Sequence, residues 1–253
     1  GVLVLKFWLH VTEREQKKRL RRLEKDPDTR WRVTKAHELL AEHYDETVAV
    51  AETVIRDTST GEAPWIVVDG FDHRHRTLTV GKILLEAMRS RLDRPGKVEL
   101  VTAAPVIAQT DNVKLLRDLD LSQALTKDEY RSELEKYQQR FGRAVRSKKF
   151  RKRSLILAFE GSDAAGKGGA IRRVTGALDA RLYRIVPVAA PSEEERAQPY
   201  LWRFWRHAPE HRGIVIFDRT WYGRVLVERV EGFCSEADWV RAYDEINEFE
   251  EQL

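Results

Sequence analysis

The stretch LILAFEGSDAAGKGG at residues 155–169 decides the fold class of this chain. Its first part, LILAFE, is nearly all apolar, which predicts a strand buried on both faces of a parallel sheet. The rest fits the pattern G-x-x-x-x-G-K, and Ala170 to Arg173 predict the start of a helix. A strand, a glycine-rich turn and a helix in this order are the context that a phosphate-binding loop requires. An ordinary strand–helix turn rich in glycine would also fit so loose a pattern.

Further strands and helices alternate along the chain. Apolar runs predict four more buried strands, at residues 2–9, 64–70, 184–189 and 213–217. Helices are predicted after a Thr12 cap as far as Asp26, and at residues 35–56, 76–92 and 126–145. Strands that alternate with helices indicate an α/β fold with a doubly wound parallel sheet.

The composition limits the classes of function. With 45 basic and 41 acidic residues, the net charge of +4 is too small for a dedicated nucleic-acid binder. No apolar run approaches the roughly 18 residues of a membrane-spanning helix, so no membrane partner is expected. The single cysteine, Cys234, excludes a disulfide framework and a four-thiolate zinc site within the chain, and it suits a reducing cytoplasm.

The glycine-rich loop carries residues suited to phosphate chemistry. Its glycines allow backbone N–H groups to turn toward phosphate oxygens, the helix N-terminus adds its dipole, and Lys167 supplies a mobile charge. Gly168 stands where a Ser or Thr usually holds a metal ion. Any Mg²⁺ must therefore rely on carboxylates, and Asp163 inside the loop is the obvious ligand.

A second carboxylate and several arginines follow a later strand. The run GIVIFD ends in Asp218, a layout that places a metal-facing carboxylate beside the phosphate loop, although strands also end in Asp at simple turns. Arg219 and Arg224 could clamp phosphoryl oxygens, or they could belong to a solvated helix face in which Glu228 and Arg229 pair locally. The aromatic side chains in between, Trp221 and Tyr222, are predicted to pack in the core.

Three other clusters each have a structural and a functional interpretation. The segment PYLWRFWRH at 199–207 suits an amphipathic helix better than a base-stacking surface. The basic run at 146–153 is typical of a solvated segment before a domain, but it could contact nucleic acid. The segment DGFDHRHR at 69–76 suits a polar loop better than a metal site.

Three motifs of this sequence resemble the polyphosphate kinase 2 family. They are GSDAAGKGGAIRR, APSEEE followed by PYLWRFWRH, and IVIFDRTWYGRVLVERVEGF, and the likeness covers nearly all of residues 126–253. The two-domain members of the family, the polyphosphate:AMP phosphotransferases, are the most similar. The motifs KFWLHVTEREQKKRLRRLEKDP and APWIVVDGFDHRHR in residues 1–92 resemble a later part of the same family unit.

The order of these two parts predicts a tandem arrangement. Residues 1–92 would be the C-terminal half of a first kinase unit, 93–125 a linker, and 126–253 the N-terminal half of a second unit. Gly1 is not a methionine, and Leu253 stands inside a predicted helix, so both ends look cut. The two halves are expected to pack as one unit in permuted order, because buried strands cannot leave their edges and faces in water.

The resemblance implies a three-layer P-loop kinase fold similar to thymidylate kinase. It also implies Mg²⁺-dependent transfer of a terminal phosphoryl group from inorganic polyphosphate to a nucleotide, most readily AMP. A homo-oligomer is possible, and nucleic acid is not expected as a partner. An ATP-dependent nucleoside monophosphate kinase of the same fold and a non-catalytic piece that binds phosphate or nucleic acid are the alternatives.

The resemblance also implies roles for particular residues. Catalytic roles fall to Asp163, Lys167, Asp218 and Arg219, and the first and third of these would organise Mg²⁺. A lid would carry Arg19 and Arg22, with Glu228 supporting the arginines near it. The phosphate-binding set comprises Gly161, Ala164, Ala165, Gly166, Gly168, Gly169, Arg172, Arg224, Arg229, Arg19 and Arg22.

Overall fold

Five parallel strands form one sheet in the computed structural model, which describes residues 2–33, 37, 41–61, 63–93 and 115–253. The strands are β1 (Val2–His10), β2 (Trp65–Asp69), β3 (Ser154–Gly161), β4 (Tyr183–Pro187) and β5 (Ile214–Asp218). Their order across the sheet is β2-β1-β3-β5-β4, so the strand that leads into the glycine-rich loop lies at the centre. The predicted α/β fold with a parallel sheet is confirmed.

β1 and β3 bring the N-terminal part of the chain and the part after residue 126 together in this sheet. They pair in parallel from Val2 beside Ser154 to Leu9 beside Gly161. Both strands are almost fully buried, which explains their unbroken apolar sequences. The expectation that strands from both parts of the chain would share one sheet is therefore confirmed.

The helices follow the sequence patterns closely. They are α1 (Glu13–Lys25), α2 (Tyr44–Asp57), α3 (His73–Asp93), α4 (Lys127–Arg146), α5 (Lys167–Thr175), α6 (Glu193–Arg196), α7 (Trp202–Trp205), α8 (Val227–Val230) and α9 (Glu236–Gln252). Short 3₁₀ turns occur at Arg30–Arg32, Lys148–Lys152 and Trp221–Arg224.

Helix caps account for the agreement and for the differences at the helix ends. Thr12 caps α1 through the backbone N–H of Glu15, and Asp26 ends the helix, as predicted. α3 begins three residues before the predicted start, because the Asp72 carboxylate accepts hydrogen bonds from the backbone at its first turn. The first part of the helix predicted at 35–56, and most of the predicted linker, lie outside the described residues.

Helices cover both faces of the sheet and make a three-layer α/β/α structure. On one face α2, α9 and the turn at Trp221–Arg224 pack on side chains such as Trp8, Ile156 and Phe217. On the other face α3, α4 and α5 pack on Phe7, Leu157 and Ile216. No helix within the described residues is both long enough and apolar enough to cross a membrane.

A fully buried ion pair crosses the first of these layers. Lys6 on β1 donates to a carboxylate oxygen of Glu250 on α9 at 2.7 Å, to the Thr58 carbonyl at 2.7 Å and to the Tyr222 hydroxyl at 2.9 Å. The other Glu250 oxygen accepts from the Trp221 indole at 2.9 Å and from Tyr222 at 2.7 Å. The network ties the first strand of the chain to its last helix.

Candidate active site

The carboxyl ends of β3 and β5 meet at one edge of the sheet, and the predicted catalytic residues follow them. β3 ends at Gly161 and leads into α5, whereas β5 ends at Asp218 and leads to the 3₁₀ turn on the opposite face. In open α/β sheets, ligands bind where neighbouring strands turn to opposite layers. The loop and the second carboxylate therefore stand at such a switch point.

The glycine-rich loop has a backbone that only certain residues tolerate. Gly161 and Gly166 have φ angles of +134° and +102°. A Cβ atom at Gly161 would lie 2.1 Å from the Leu9 carbonyl oxygen, and one at Gly166 would lie 2.1 Å from the Arg76 guanidinium carbon. Ala164 also has a left-handed φ of +59°, which costs roughly 1–2 kcal/mol for a residue with a side chain. The loop is held in a strained shape, as is common where a ligand binds.

The helix after the loop starts earlier than the sequence predicted. α5 begins at Lys167, three residues before the predicted start at Ala170. The backbone N–H groups of its first residues have no partner within the helix, which favours an anion. The Lys167 ammonium donates to the carbonyls of Gly161 at 2.8 Å and Ser162 at 3.3 Å, so it lies directly over the loop.

Asp163 and Arg219 form an ion pair between the loop and the end of β5. One Asp163 oxygen accepts from Arg219 Nη2 at 3.0 Å. The other oxygen is buried and has no hydrogen-bond partner among the described residues. Arg219 itself has a left-handed φ of +64°, and its backbone N–H donates to the Phe159 carbonyl at 3.1 Å. The pair leaves one carboxylate oxygen available for a cation.

The carboxylates fit a magnesium ion that also binds substrate. Mg²⁺ in phosphate-transferring sites takes one or two carboxylates, with the other ligands from phosphate oxygens and water. The unpartnered oxygen of Asp163 suits this role, and Asp218 ends β5, directly beside the strand that leads into the loop. The described residues contain no group of three or more potential metal ligands, so phosphate oxygens would have to complete the shell.

Glu160 is a buried carboxylate that the sequence reasoning missed. It ends the apolar run of β3 and accepts hydrogen bonds from the backbone N–H of Thr220 at 2.7 Å and from its hydroxyl at 2.9 Å. Burial raises the pKa of Glu160. The contact fixes the backbone directly after Arg219. A charged residue at the end of an otherwise apolar strand was the signal that could have identified it.

Arg19 and Arg76 brace the loop from the N-terminal part of the chain. The Arg19 guanidinium donates to the carbonyls of Gly70 and Ala164 at 3.0 Å and of Phe71 at 2.6 Å. Its predicted role was to bind phosphate, but in this structure backbone carbonyls occupy its donors. Arg76, which the sequence reasoning missed, donates to Gly70 at 2.9 Å and to Ala165 at 2.7 Å.

Arg76 is unusual for an arginine in its burial. Only 5% of its surface is exposed, and burial lowers its pKa to about 10, so it stays cationic at neutral pH. It lies against Gly166. Arg76 lies in the segment DGFDHRHR, whose local sequence shows no periodic pattern. The contact of Arg76 with residues 164–166 is long-range and cannot be predicted from neighbouring residues.

A cavity of about 670 Å³ opens beside the loop. Asp163, Arg219 and Arg224 are among its charged lining residues, and Trp8 and Leu226 are among its apolar ones. Its volume lies within the range of sites that bind small molecules. A lining that combines arginines with apolar side chains suits an anionic ligand that also has an apolar part.

Arg224 is held in place at the wall of this cavity. Its guanidinium lies 4.2 Å from the centre of the Tyr200 ring and forms an ion pair of 3.0 Å with Glu228. The Tyr200 hydroxyl accepts from the Arg224 backbone N–H at 3.1 Å. Burial raises the pKa of Glu228. The predicted support of an arginine by Glu228 therefore falls on Arg224.

Besides Arg19, three predicted phosphate-binding arginines do not line this cavity. Arg229 packs 3.8 Å from the centre of the Trp239 ring and donates to the Tyr243 hydroxyl at 3.1 Å, because α8 turns it toward α9. Arg22 and Arg172 are exposed and do not line the cavity. The geometry gives no support to a phosphate contact for these three.

The other clusters follow their structural interpretations. Trp221 and Tyr222 are fully buried, as predicted. The aromatic segment at 199–207 buries Phe204 against the sheet. The segment DGFDHRHR forms a turn and the start of α3, and the described residues show no metal-ligand cluster there.

Comparison with known proteins gives the family of this chain. The sequence profile described as polyphosphate kinase 2 matches residues 1–95 and 124–253. The chain belongs to the polyphosphate kinase 2 family. The two matched parts contain the loop, the second carboxylate and the two bracing arginines.

Some named members of this family match the whole chain, and others match part of it. The polyphosphate:AMP phosphotransferase of Pseudomonas aeruginosa is 56% identical over 254 residues, and that of Acinetobacter johnsonii is 38% identical over 254 residues. The GDP-polyphosphate phosphotransferase of Mycobacterium tuberculosis is 40% identical over 124 residues, which is 49% of this chain and 42% of that protein. The chain spans about half the length of the first two, 51% and 50%.

Among solved structures, a putative polyphosphate kinase 2 from Pseudomonas aeruginosa PA01 is similar over the full chain. The identity is 52% and the TM-score is 0.55, with 100% of this chain and 47% of that chain covered. Polyphosphate kinase 2 from Arthrobacter aurescens TC1 is 29% identical with a TM-score of 0.50, covering 54% of this chain and 52% of that one. These structures share the α/β fold of the family.

Proposed function

We propose that this chain transfers the terminal phosphoryl group of inorganic polyphosphate to a nucleotide. The preferred acceptor is AMP, which becomes ADP. The observation that carries the proposal is the glycine-rich loop facing a cavity with Asp163, Arg219 and Arg224 in its wall. The names of the relatives that match the whole chain support the same donor and acceptor.

Phosphoryl transfer needs positioning and charge neutralisation more than covalent help from the protein. In this proposal the N–H groups at the start of α5 and the Lys167 ammonium hold the donor phosphates. Arg219 and Arg224 bind the transferred group and the acceptor phosphate and offset the charge that builds up on them. Apolar lining residues such as Trp8 and Leu226 contact the nucleoside.

Mg²⁺ belongs to the proposal as the ion that Asp163 and Asp218 would hold. When bound it would offset negative charge on the phosphate oxygens. Glu160 and Thr220 keep Arg219 at the correct place in the site, and the Asp163 carboxylate holds the Arg219 guanidinium. Arg76 and Arg19 keep the loop carbonyls turned away from the donor.

The tandem arrangement also stays a proposal. Residues 1–92 would correspond to the C-terminal half of one unit and 126–253 to the N-terminal half of the next, with 93–125 as linker. The family profile supports it, since it matches in two parts and leaves out the residues between 95 and 124. A cytoplasmic setting is part of the same proposal, supported by the single cysteine.

An assay of ADP formation from AMP tests the function directly. The chain is incubated with AMP and Mg²⁺ and with either polyphosphate or ATP as the only donor. We expect ADP with polyphosphate and a much lower rate with ATP. The opposite preference would indicate an ATP-dependent nucleoside monophosphate kinase of the same fold, and it would reject the proposal.

A further inference from the structure

The edge of the sheet opposite the candidate active site is strongly basic. Here α4 ends, the turn at Lys148–Lys152 leads into β3, and short segments lead into β4 and β5. These segments carry the basic residues Arg140, Arg143, Arg146, Lys148, Lys149, Arg151, Lys152, Arg153, Arg181 and Arg212. We call this set the amino-end surface.

Few acidic residues balance this charge. Of the residues that the structure describes, the acidic ones in or beside these segments are Asp93, Asp179 and Glu210. Lys149 pairs with the first at 2.6 Å and Arg181 with the second at 2.7 Å, while the other eight basic residues form no ion pair with a described residue. The amino-end surface thus holds more positive charge than the net +4 of the whole chain.

Three of the basic residues line one shared depression. A cavity of about 480 Å³ is lined by Arg146, Arg181 and Arg212, which come from three separate segments. The backbone N–H of Arg212 donates to the Arg153 carbonyl at 2.7 Å, which brings the starts of β3 and β5 together. Favourable contact with the C-terminus of a helix accounts for basic residues in the last turn of α4, but not for those outside it.

The chemistry of this surface selects among polyanions. Proteins that bind single-stranded nucleic acid stack bases on exposed aromatic side chains, and helices that enter a membrane surface expose large apolar ones. The exposed large apolar side chains of the described residues are Trp31, Phe71, Ile185, Trp205, Phe233 and Val240, and none belongs to these segments. A linear phosphate polymer needs only the charges.

We propose that the amino-end surface binds the body of an inorganic polyphosphate chain whose terminus reaches the glycine-rich loop, an inference that rests on the proposed function. The eight residues of β3 span roughly 25 Å between the two edges at about 3.3 Å per residue. A long donor can contact both edges at once. The second contact raises the local concentration of donor termini at the loop.

Charge reversal at three exposed positions tests this surface. The variant Lys148→Glu, Arg151→Glu, Lys152→Glu is compared with Lys127→Glu, Arg131→Glu, Lys136→Glu, which changes the net charge equally at the other end of α4. Binding of end-labelled long-chain polyphosphate is measured over a series of salt concentrations, without AMP or Mg²⁺. Steady-state rates of ADP formation are then measured with long-chain polyphosphate and with tripolyphosphate.

We expect the first variant to bind the long chain about 10-fold more weakly and to have a salt slope smaller by about 2, from about 0.7 per lost phosphate contact. Its KM for the long chain should rise while its rates with tripolyphosphate and its melting temperature stay unchanged. A neutral variant, Lys148→Gln with Lys152→Gln, should show a smaller effect in the same direction.

Equal weakening in both charge-reversed variants would overturn the proposal, because net charge alone would then explain the binding. Tighter binding of a single-stranded oligonucleotide that displaces polyphosphate would overturn it in favour of nucleic acid. Loss of polyphosphate binding in the first variant alone, in a chain that forms no ADP from polyphosphate, would support the surface and reject the proposed function.

Discussion

Two ion pairs in this chain show opposite designs. In the Lys6–Glu250 pair the lysine and both carboxylate oxygens have protein partners, and the two side chains are 0% and 2% exposed. In the Asp163–Arg219 pair one carboxylate oxygen is buried and finds no partner in the part of the chain that the structure describes, and the arginine side chain is 34% exposed at the wall of the cavity.

The difference separates a structural pair from a functional one. A buried charge is tolerated when all of its hydrogen bonds are made within the protein, as they are for Lys6. A buried acceptor that lacks a partner costs free energy, and it persists at sites where a ligand supplies the partner. Mutations in the first pair should therefore affect stability, and mutations around the second should affect transfer.

The largest effect is expected at the glycine-rich loop, beside the Asp163–Arg219 pair. Lys167→Met removes the ammonium that lies over the loop, and we expect phosphoryl transfer to fall about 1,000-fold, or about 4 kcal/mol. The melting temperature should change little, since the hydrogen bonds of Lys167 to described residues go to two backbone carbonyls. Lys136→Met on the exposed face of α4 is the control. A similar loss of activity in the control would contradict the comparison.

The second largest effect is expected in the buried Lys6–Glu250 pair. Lys6→Met leaves the Glu250 carboxylate buried without its cation, and we expect the free energy of unfolding to fall by about 3 kcal/mol. Urea denaturation measures it. The double variant Lys6→Met, Glu250→Leu should recover most of the loss, because no charge is then left buried. If the double variant is less stable than the single one, the Glu250 carboxylate stabilises the fold through Trp221 and Tyr222 rather than through Lys6.

The smallest effect is expected at Arg76, a buried cation that adjoins the glycine-rich loop. Arg76→Lys keeps a cation beside Ala165, but a buried ammonium has a lowered pKa. We expect kcat about 10-fold lower at pH 7, about 1.4 kcal/mol, and a further fall as the pH rises toward 9 and the lysine loses its proton. The native guanidinium stays charged over this range.

Arg74→Lys on the same helix is the matched control for that pH profile. Arg74 donates to the Leu125 carbonyl at 2.7 Å, away from the loop. Its variant should follow the native pH profile. A native profile for Arg76→Lys would show that Arg76 only stabilises the fold and does not position the loop.

A feature of this chain was predictable when the residues that determine it are neighbours in the sequence, and it was missed when they are far apart. The strand predicted at 155–160, the loop and the Thr12 cap of α1 depend on neighbouring residues, and the structure has the strand at Ser154–Gly161 and the cap at Thr12. The start of α5 was predicted too late, since glycines lowered the apparent helix propensity of residues 167–169. Glu160 and Arg76 were missed because their partners lie 60 and 89 residues away.

The arginines after β5 show the same limit. The family resemblance implied a catalytic role for Arg219 and phosphate contacts for Arg224 and Arg229. In the structure the first two line the cavity, whereas Arg229 packs on Trp239. The direction of each side chain depends on the 3₁₀ turn and the short helix that follow β5, which the pattern of charges does not specify.

The sequence by itself determined the phosphate loop, the parallel α/β class and the edge of the sheet where the site lies, because backbone conformation and strand burial follow from local residue types. Only the tertiary structure decided that β1 lies beside β3, and that Arg19 and Arg76 brace a loop some 90 to 150 residues away in the chain. Apolar strands carry little information about their neighbours. Their partners are chosen by packing and hydrogen bonding across the whole sheet.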